Sequence, residues 1–398
     1  MMNGDVWVFG GSRTVDGKIA FYNDLHVLAA GTSEWVRVEV DGKEIPRARH
    51  RCSLIAFRGM IVLFGGNGEG HEYYGDVVVF DISKGSWRMA VADVGVSETR
   101  GPEVRITEPR GVARALHSAT VVGSRMFVFG GVIGDRESDV LDELLELDLR
   151  AWTWISRRRL FARYLHAGVA LDGRLWVVGG RNAADQLVSA GEVVSIPLDN
   201  WADDPTKVYS HGEMADAPSV PVIRCSVLAV PDVSRSDGRF AEKVLLVGRR
   251  DSLSDYANVI YIYDPLLRSW AAALAADSPG HPRGRSHKTI NIPDLVDVFQ
   301  DGLWSHASVR DNKLTLLGRR LNEDSYPMTK TQAHPLMHSF CAMLTIDLEY
   351  LGVISPRNPA APCALTSASS SIERRVSQLQ FDLGFVFDKV CSFFIFPF

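Results

Sequence analysis

Cysteine is scarce in this sequence, and the few cysteines present are far apart. They form no CxxC pair and no Cys/His cluster with the spacing of metal ligands. The five are Cys52, Cys225, Cys341, Cys363 and Cys391. This usage suits a reducing compartment, and we expect neither a metal nor another cofactor.

Long apolar runs and an excess of positive charge are also missing. No stretch approaches the roughly 18 consecutive apolar residues that cross a bilayer. The N-terminus, MMNGDVWVFGG, has no basic region followed by an apolar one, as a secretory signal would. The formal net charge of -5 argues against nucleic acid as a partner. We therefore expect a cytoplasmic protein with a large core, since 46% of its residues are hydrophobic.

What the sequence does contain is an internal repeat with a period of roughly 50 to 70 residues. Four times, an alternating strand runs into a glycine pair: Asp5–Gly11, Met60–Gly66, Met126–Gly131 and Arg174–Gly180. Two weaker copies, Lys243–Gly248 and Lys313–Gly318, are followed by Arg249 and Arg319 in place of the second glycine. Glycine at such a point permits a positive φ and a close approach of another backbone.

Further strands accompany each copy in register. An arginine and a histidine open the preceding strand in three copies, at Arg47 to His50, Arg114 to His117 and Arg163 to His166. In the fifth copy, Arg224 to Ser226 matches Arg51 to Ser53 instead. A third strand follows each glycine position, and an aromatic residue then marks a fourth strand: Trp35, Trp87, Trp154, Trp201, Trp270 and Tyr350. Four strands per repeat predict a twisted sheet that neighbouring sheets cover on both faces.

Over about residues 5 to 355 these features resemble the Kelch-repeat family. The resemblance implies an all-β, six-bladed Kelch-type β-propeller in which blade one lacks its first strand at the N-terminus. The expected blades are about 5–40, 46–92, 110–156, 159–208, 222–273 and 283–355.

The C-terminal region leaves two alternatives open. Residues 356–377 are rich in Pro, Ala and Ser and predict a flexible linker. Within 378–398, the alternating segment Leu379–Phe387 predicts a strand that closes blade one, whereas the alternative is a disordered apolar tail on a fragment. Arg374, Arg375 and Ser377 resemble a basophilic kinase site, which makes Ser377 the candidate for phosphorylation.

Arginines define the candidate binding surface. The start of the first strand and the end of the second lie at the same end of an antiparallel blade, so the loops there share one face. That face is expected to carry Arg13, Arg47, Arg49, Arg114, Arg163, Arg181, Arg224, Arg249, Arg250, Arg285, Arg319 and Arg320. Guanidinium groups match carboxylate and phosphate, so the predicted ligand is an acidic or phosphorylated segment. The alternative is that the arginines before the first strands bond neighbouring carbonyls or acids.

Gly179 to Asn182 resembles the loop with which Kelch-type substrate adaptors grip acidic peptides, which implies that role for Arg181 and Asn182. His50, His117, His166 and His306 raise a metal hypothesis, but repeated histidines are more typical of structural hydrogen bonding.

We therefore expect a non-catalytic protein-interaction module or scaffold that binds a protein partner. The alternatives are a Kelch domain detached from a larger enzyme or adaptor, and a Kelch-fold enzyme with an active site at the mouth of the hub.

Overall fold

A computed structural model describes most of the first half of the chain and the strands of the second half. The described residues are 5–15, 18–29, 35–40, 44–91, 112–134, 139–171, 173–189, 192–198, 209–210, 222–232, 241–250, 258–264, 269–275, 299, 302–310, 313–320 and 341–348. Those up to Ser210 belong to one compact unit, and those from Val222 onward belong to a second. Each unit is described by itself.

The described residues of the first unit form four antiparallel sheets, which we call blades one to four. Blade one consists of β1 (Val6–Val15), β2 (Lys18–Leu28) and β3 (Trp35–Arg37). Blade two consists of β4 (Ser53–Phe57), β5 (Met60–Phe64), β6 (Val77–Asp81) and β7 (Ser86–Val91). A short 3-10 helix, Glu69–His71, lies between β5 and β6.

Blades three and four repeat the four-stranded plan. Blade three consists of β8 (Ser118–Val122), β9 (Arg125–Phe129), β10 (Glu143–Asp148) and β11 (Thr153–Arg159). Blade four consists of β12 (Ala167–Leu171), β13 (Arg174–Val178), β14 (Val194–Pro197) and β15 (Tyr209–Ser210). In every blade the strands pair in sequence order.

The second unit contains two more antiparallel sheets, blades five and six. Blade five consists of β16 (Val222–Asp232), β17 (Ala241–Arg250), β18 (Asn258–Asp264) and β19 (Ser269–Ala275). Blade six consists of β20 (Gly302–Arg310), β21 (Lys313–Arg320) and β22 (Cys341–Asp347).

The expected all-β architecture of repeated antiparallel blades is confirmed. The count of six blades is not, because among the described residues four sheets have the four strands of a complete blade and two have three. Among the described residues blade one has three strands, and that it lacks a first strand remains a prediction. The fourth-strand markers Trp201 and Tyr350, the linker and the proposed closing strand Leu379–Phe387 lie outside the described residues.

Aromatic side chains fill the space between neighbouring blades of the first unit. The ring of Trp87 in blade two packs 5.2 Å from that of Phe9 in blade one. Trp154 in blade three packs in the same way on Phe64 in blade two, at 5.3 Å. All four residues are buried, so the contacts remove large apolar surfaces from water and stabilise the stack of blades.

The backbones of adjacent blades also approach closely at the glycine pairs. The amide of Gly66 donates a 2.8 Å hydrogen bond to the carbonyl of Arg114 in the next blade. A Cβ on Gly65 would lie 2.6 Å from that same carbonyl oxygen, and the φ of Gly65 is +69°. Any side chain here would therefore collide with backbone as well as strain φ, which explains the glycine pair physically.

Two glycines of blade two allow the strain of a positive φ to be separated from the collision with a neighbouring backbone. Gly59, in the turn between β4 and β5, has a φ of +78° but no heavy atom within 4 Å of a built Cβ. We expect Gly59→Ala to cost about 1 to 2 kcal/mol for the left-handed backbone alone. Gly65→Ala should cost more, about 3 kcal/mol or above, because the collision is added. Urea unfolding followed by tryptophan fluorescence measures both, and equal losses would contradict this explanation.

Candidate functional site on the loop face

Three arginines occupy equivalent positions at the starts of blades two to four, and we call Arg49, Arg114 and Arg163 the buried arginines. Each donates from Nη1 to the carbonyl of the first glycine in its own blade: Gly65 at 3.0 Å, Gly130 at 3.0 Å and Gly179 at 2.9 Å. The carbonyl of each also accepts from the second glycine of the preceding blade, at 2.8 to 2.9 Å. The buried arginines thus join two blades at each glycine pair.

Each buried arginine also pairs with an acid at or just before the start of the third strand of its blade. Arg49 grips both carboxylate oxygens of Asp76, at 2.6 and 2.8 Å. Arg114 donates to Glu143 at 3.1 Å, and Arg163 donates to Glu192 at 3.2 Å. Burial lowers the pKa of Arg114 to about 10, against the opposing effect of Glu143, so the guanidinium stays charged at neutral pH.

Burial corrects the expectation that these three side chains line a recognition surface. The side chains of Arg49 and Arg114 have no exposed area, and that of Arg163 is buried too. They bond carbonyls and acids within the fold, which was the alternative stated from the sequence. The sequence analysis matched Arg47 to Arg114 because each lies three residues before a histidine. That match was wrong, because Arg49 is the structural equivalent of Arg114.

Two other predicted arginines of the first unit reach the surface beside acids. The side chain of Arg47 is 53% exposed, pairs with Glu72 and lies with its guanidinium carbon 4.2 Å from the centre of the Tyr74 ring. The side chain of Arg181 is 30% exposed and donates to the carbonyl and the carboxylate of Asp185, at 2.7 and 3.1 Å.

The loop that holds Arg181 is braced by its own side chains. The Tyr164 hydroxyl donates to the carboxylate of Asp185, and burial, with Asp185 next, raises the pKa of that phenol. The side-chain oxygen of Asn182 accepts from the amide of Gln186 at 3.0 Å, and its nitrogen donates to the Gln186 side chain at 3.1 Å. Asn182 therefore shapes the loop, while Arg181 and Asp185 face solvent.

The remaining predicted residues are placed less fully. Arg13 is half-buried in β1. The backbone of Arg224 lies at an irregularity of β16, whereas Arg249, Arg250, Arg319 and Arg320 end β17 and β21 in regular pairing. Arg285 and Ser377 lie outside the described residues. The phosphorylation of Ser377 remains a prediction, as do the binding roles of Arg13, Asn182, Arg224, Arg249, Arg250, Arg285, Arg319 and Arg320.

Three histidines of the first unit, His50, His117 and His166, act as links between blades. Nε2 of His117 shares a 2.9 Å hydrogen bond with Ser53, and Nε2 of His166 shares one of 2.8 Å with Ser118. His50 bonds Ser12 through Nδ1 at 2.8 Å. Within the described ranges no group of three or more His, Cys, Asp or Glu side chains converges. His306 sits opposite Leu317 in β21, which in register is the position of Ser53 and not that of the other histidines.

Burial keeps these imidazoles neutral. It lowers the pKa of His166 to about 3, with a further contribution from Arg163, and that of His50 to about 4, with a further contribution from Arg51. The pKa of His117 is also well below its usual value, again mainly through burial.

A cavity of about 340 Å³ opens on the loop face of blade four, and the sequence did not predict it. We call it the blade-four cavity. It lies beside the Arg163–Glu192 pair, and its walls combine these charges with apolar side chains. The lining residues are Phe161, Ala162, Arg163, Asn182, Val188, Glu192 and Val194.

Comparison with known proteins identifies the family to which this fold belongs. A family model described as the KLHDC2/KLHL20/DRC7 Kelch-repeats domain matches residues 1–212. This is more than half of the chain, so the protein belongs to the Kelch-repeat family and has an all-β propeller fold. Kelch propellers generally bind protein partners, and the family is generally non-enzymatic.

Curated relatives match over part of their length. Kelch domain-containing protein 1 of Mus musculus is 28% identical over 220 residues, which is 50% of this chain and 52% of that protein. The leucine-zipper-like transcriptional regulator 1 homolog of Drosophila melanogaster is 26% identical over 157 residues, 37% of this chain and 15% of that protein. Acyl-CoA-binding domain-containing protein 4 of Arabidopsis thaliana is 27% identical over 186 residues, 46% of this chain and 24% of that protein. The chain thus spans about half the length of these relatives or less.

The contrast between buried and exposed arginines is testable at two positions two residues apart. We expect Arg49→Ala to cost about 3 to 5 kcal/mol, because it leaves Asp76 buried without its partner. Arg47→Ala should cost no more than about 1 kcal/mol, since both it and Glu72 are half-exposed. Chemical unfolding gives both values, and similar losses for the two variants would show that Arg49 is not a structural link.

Acid should destabilise the protein through its neutral histidines. The folded pKa of His166 lies far below the unfolded value of 6.5, so below pH 6.5 the unfolded chain binds more protons and stability falls as the pH drops. One such histidine accounts for about 2 kcal/mol between pH 6.5 and pH 5. His166→Gln should remove that share from the pH dependence of the free energy of unfolding. His71→Gln, on an exposed turn, is the control, and an equal change in both variants would contradict the assignment.

Proposed function

We propose that this Kelch propeller is an interaction module that binds an acidic or phosphorylated segment of a partner protein on its loop face. The observation that carries the proposal is that Arg47 is exposed and Arg181 is partly exposed. Each is paired with one acid that is itself exposed, since the side chain of Glu72 is 54% exposed and that of Asp185 is 69% exposed. A ligand carboxylate or phosphate would take the place of these acids.

The chemistry of the two sites supports an anionic ligand. Guanidinium groups form charge-assisted and often bidentate hydrogen bonds with carboxylate and phosphate. The side chain of Arg47 is held against the Tyr74 ring, and that of Arg181 is held by the backbone carbonyl of Asp185, so little side-chain freedom is lost when a ligand binds. When an acid of the ligand replaces Glu72 or Asp185, the number of charge pairs stays the same, so a single exchange contributes little affinity. A ligand with several acidic groups is therefore favoured.

A cytoplasmic location is part of this proposal, because the scattered cysteines suit a reducing compartment. In the part of the chain that the structure describes, no helix is long and apolar enough to cross a membrane. We favour the interaction module over a Kelch-fold enzyme because the family is generally non-enzymatic. A detached domain of a larger protein would use the same loop face.

The experiment compares a fluorescent peptide rich in Asp and Glu, its phosphoserine counterpart and a neutral counterpart with Asn and Gln. We expect the full chain to bind the two anionic peptides and Arg47→Ala or Arg181→Ala to weaken that binding about tenfold, which is 1.4 kcal/mol. Fluorescence anisotropy at two salt concentrations measures it, because screening should weaken the same contacts.

The control is Lys84→Ala, which removes an exposed charge from the turn between β6 and β7 at the opposite end of blade two. This variant should bind as the unaltered chain does. If the neutral peptide binds equally well, or if Lys84→Ala weakens binding as much as Arg181→Ala does, the loop-face arginines are not the recognition surface.

A further inference from the structure

The blade-four cavity lies where other blades of the same chain place a side chain. Tyr74, Leu141 and Val188 are equivalent, because the amide of each donates to the carbonyl of the second glycine in its blade, at 2.8 to 2.9 Å. In blade two, the Tyr74 ring lies 4.3 Å from the guanidinium carbon of Arg49. In blade four the much smaller Val188 lines the cavity instead.

Blade three fills the corresponding region with a second guanidinium. Arg157 donates to Glu143, the acid that also binds Arg114, and the Glu143 side chain is only 2% exposed. Arg157 lies opposite Leu145 in the strand ladder. The equivalent of Leu145 in blade four is Val194, and the residue opposite it is Ser210. Blade four therefore has serine at the register position of the second arginine.

The acid of blade four is correspondingly open to solvent. The side chain of Glu192 is 44% exposed, whereas that of its partner Arg163 is 6% exposed. Arg163 is also held less completely than its equivalents. Nε of Arg49 donates to the Arg47 carbonyl and Nε of Arg114 to that of Val112, both at 3.0 Å, but the buried Nε of Arg163 has no partner among the described residues. The accessible charge in the cavity is thus a carboxylate.

We propose that the blade-four cavity binds a guanidinium group, such as an arginine side chain of a partner, at Glu192. Arg157 shows within the same fold that an acid paired with a buried arginine accepts a second guanidinium. The apolar part of an arginine side chain would pack on Phe161, Val188 and Val194, as long cationic side chains do on apolar surfaces. This site is independent of the acidic-segment binding proposed above, since it uses a carboxylate.

The probes are N-acetylarginine amide and N-acetylcitrulline amide, which have nearly the same shape but differ in charge. We expect calorimetric titration of the full chain to show saturable binding of the arginine amide and binding at least fivefold weaker for the citrulline amide. Glu192→Gln should remove the preference. Equal affinity for the two probes, or no saturable binding of either, would overturn the proposal.

Two variants test the cavity without removing the acid. Ser210→Arg supplies the internal guanidinium of blade three, and Val188→Tyr supplies the ring of blade two. Both should abolish binding of the arginine amide while leaving the unfolding midpoint unchanged or higher. Unchanged binding in both variants would place the ligand elsewhere, and this test holds even if Glu192→Gln fails to fold.

Matched controls separate this site from other acids and from the proposed function. Glu69→Gln removes an exposed carboxylate from the loop face of blade two and should not affect binding of the arginine amide. Ser210→Arg should leave binding of the acidic peptide intact, and Arg47→Ala should leave binding of the arginine amide intact. A failure of the acidic-peptide test therefore does not decide the arginine-amide proposal, and the reverse also holds.

Discussion

The first unit depends on one repeated interaction, in which a buried arginine joins two blades at a glycine pair. The arginine carbonyl accepts from the second glycine of the preceding blade, while its guanidinium spans the first glycine carbonyl and the acid of its own blade. The contact is so close that only glycine fits, and the charge is so deeply buried that the acid is required. Arginine, glycine pair and acid therefore form a single unit of structure, to which the interblade histidine links are added.

In blades five and six of the second unit, other residues stand at the positions of the arginine, the second glycine and the acid. Ser226 and His306 pair as Ser53 does, and counted back along the chain from them Val222 and Gly302 stand at the position of the buried arginine. In backbone register, Val259 and Ala342 stand at the position of the acid. Arg249 and Arg319 occupy the position of the second glycine, and strand pairing continues through them. The buried arginine, the second glycine and the acid are thus replaced together. This is expected if no backbone carbonyl of a neighbouring blade has to approach at this position. The loss of the second glycine in blades five and six therefore belongs with the loss of the arginine and of the acid. The arginines that replace this glycine are part of a longer strand.

Much of the fold is predictable from the sequence, because alternating strands, glycine pairs and tryptophans are local signals. The roles of the arginines are not, since Arg47 and Arg49 have the same chemistry and differ only in what surrounds them. The decisive partner of Arg49 is Asp76, 27 residues away, so the contact depends on how β5 and β6 pair. A sequence signal did exist, because each of these arginines is followed by an acid at or just before the start of the third strand. The cavity had no such signal, because Val188 and Ser210 stand out only when their equivalents Tyr74 and Arg157 are known from backbone pairing.

Under the proposed function, the pairing of charges would also determine how the loop face recognises an anion. Arg49 and Arg114 are buried and paired with acids, so they add little to the electrostatic potential at the surface. The exposed Arg47 and the partly exposed Arg181 are each partnered by a carboxylate. Recognition there would therefore proceed by exchange of one acid for another, not by capture in a field of excess positive charge. Exchange returns only the difference between two similar interactions, so a single acidic group would bind weakly. Useful affinity then requires several contacts made at once, which favours an extended segment of a protein over a small anion.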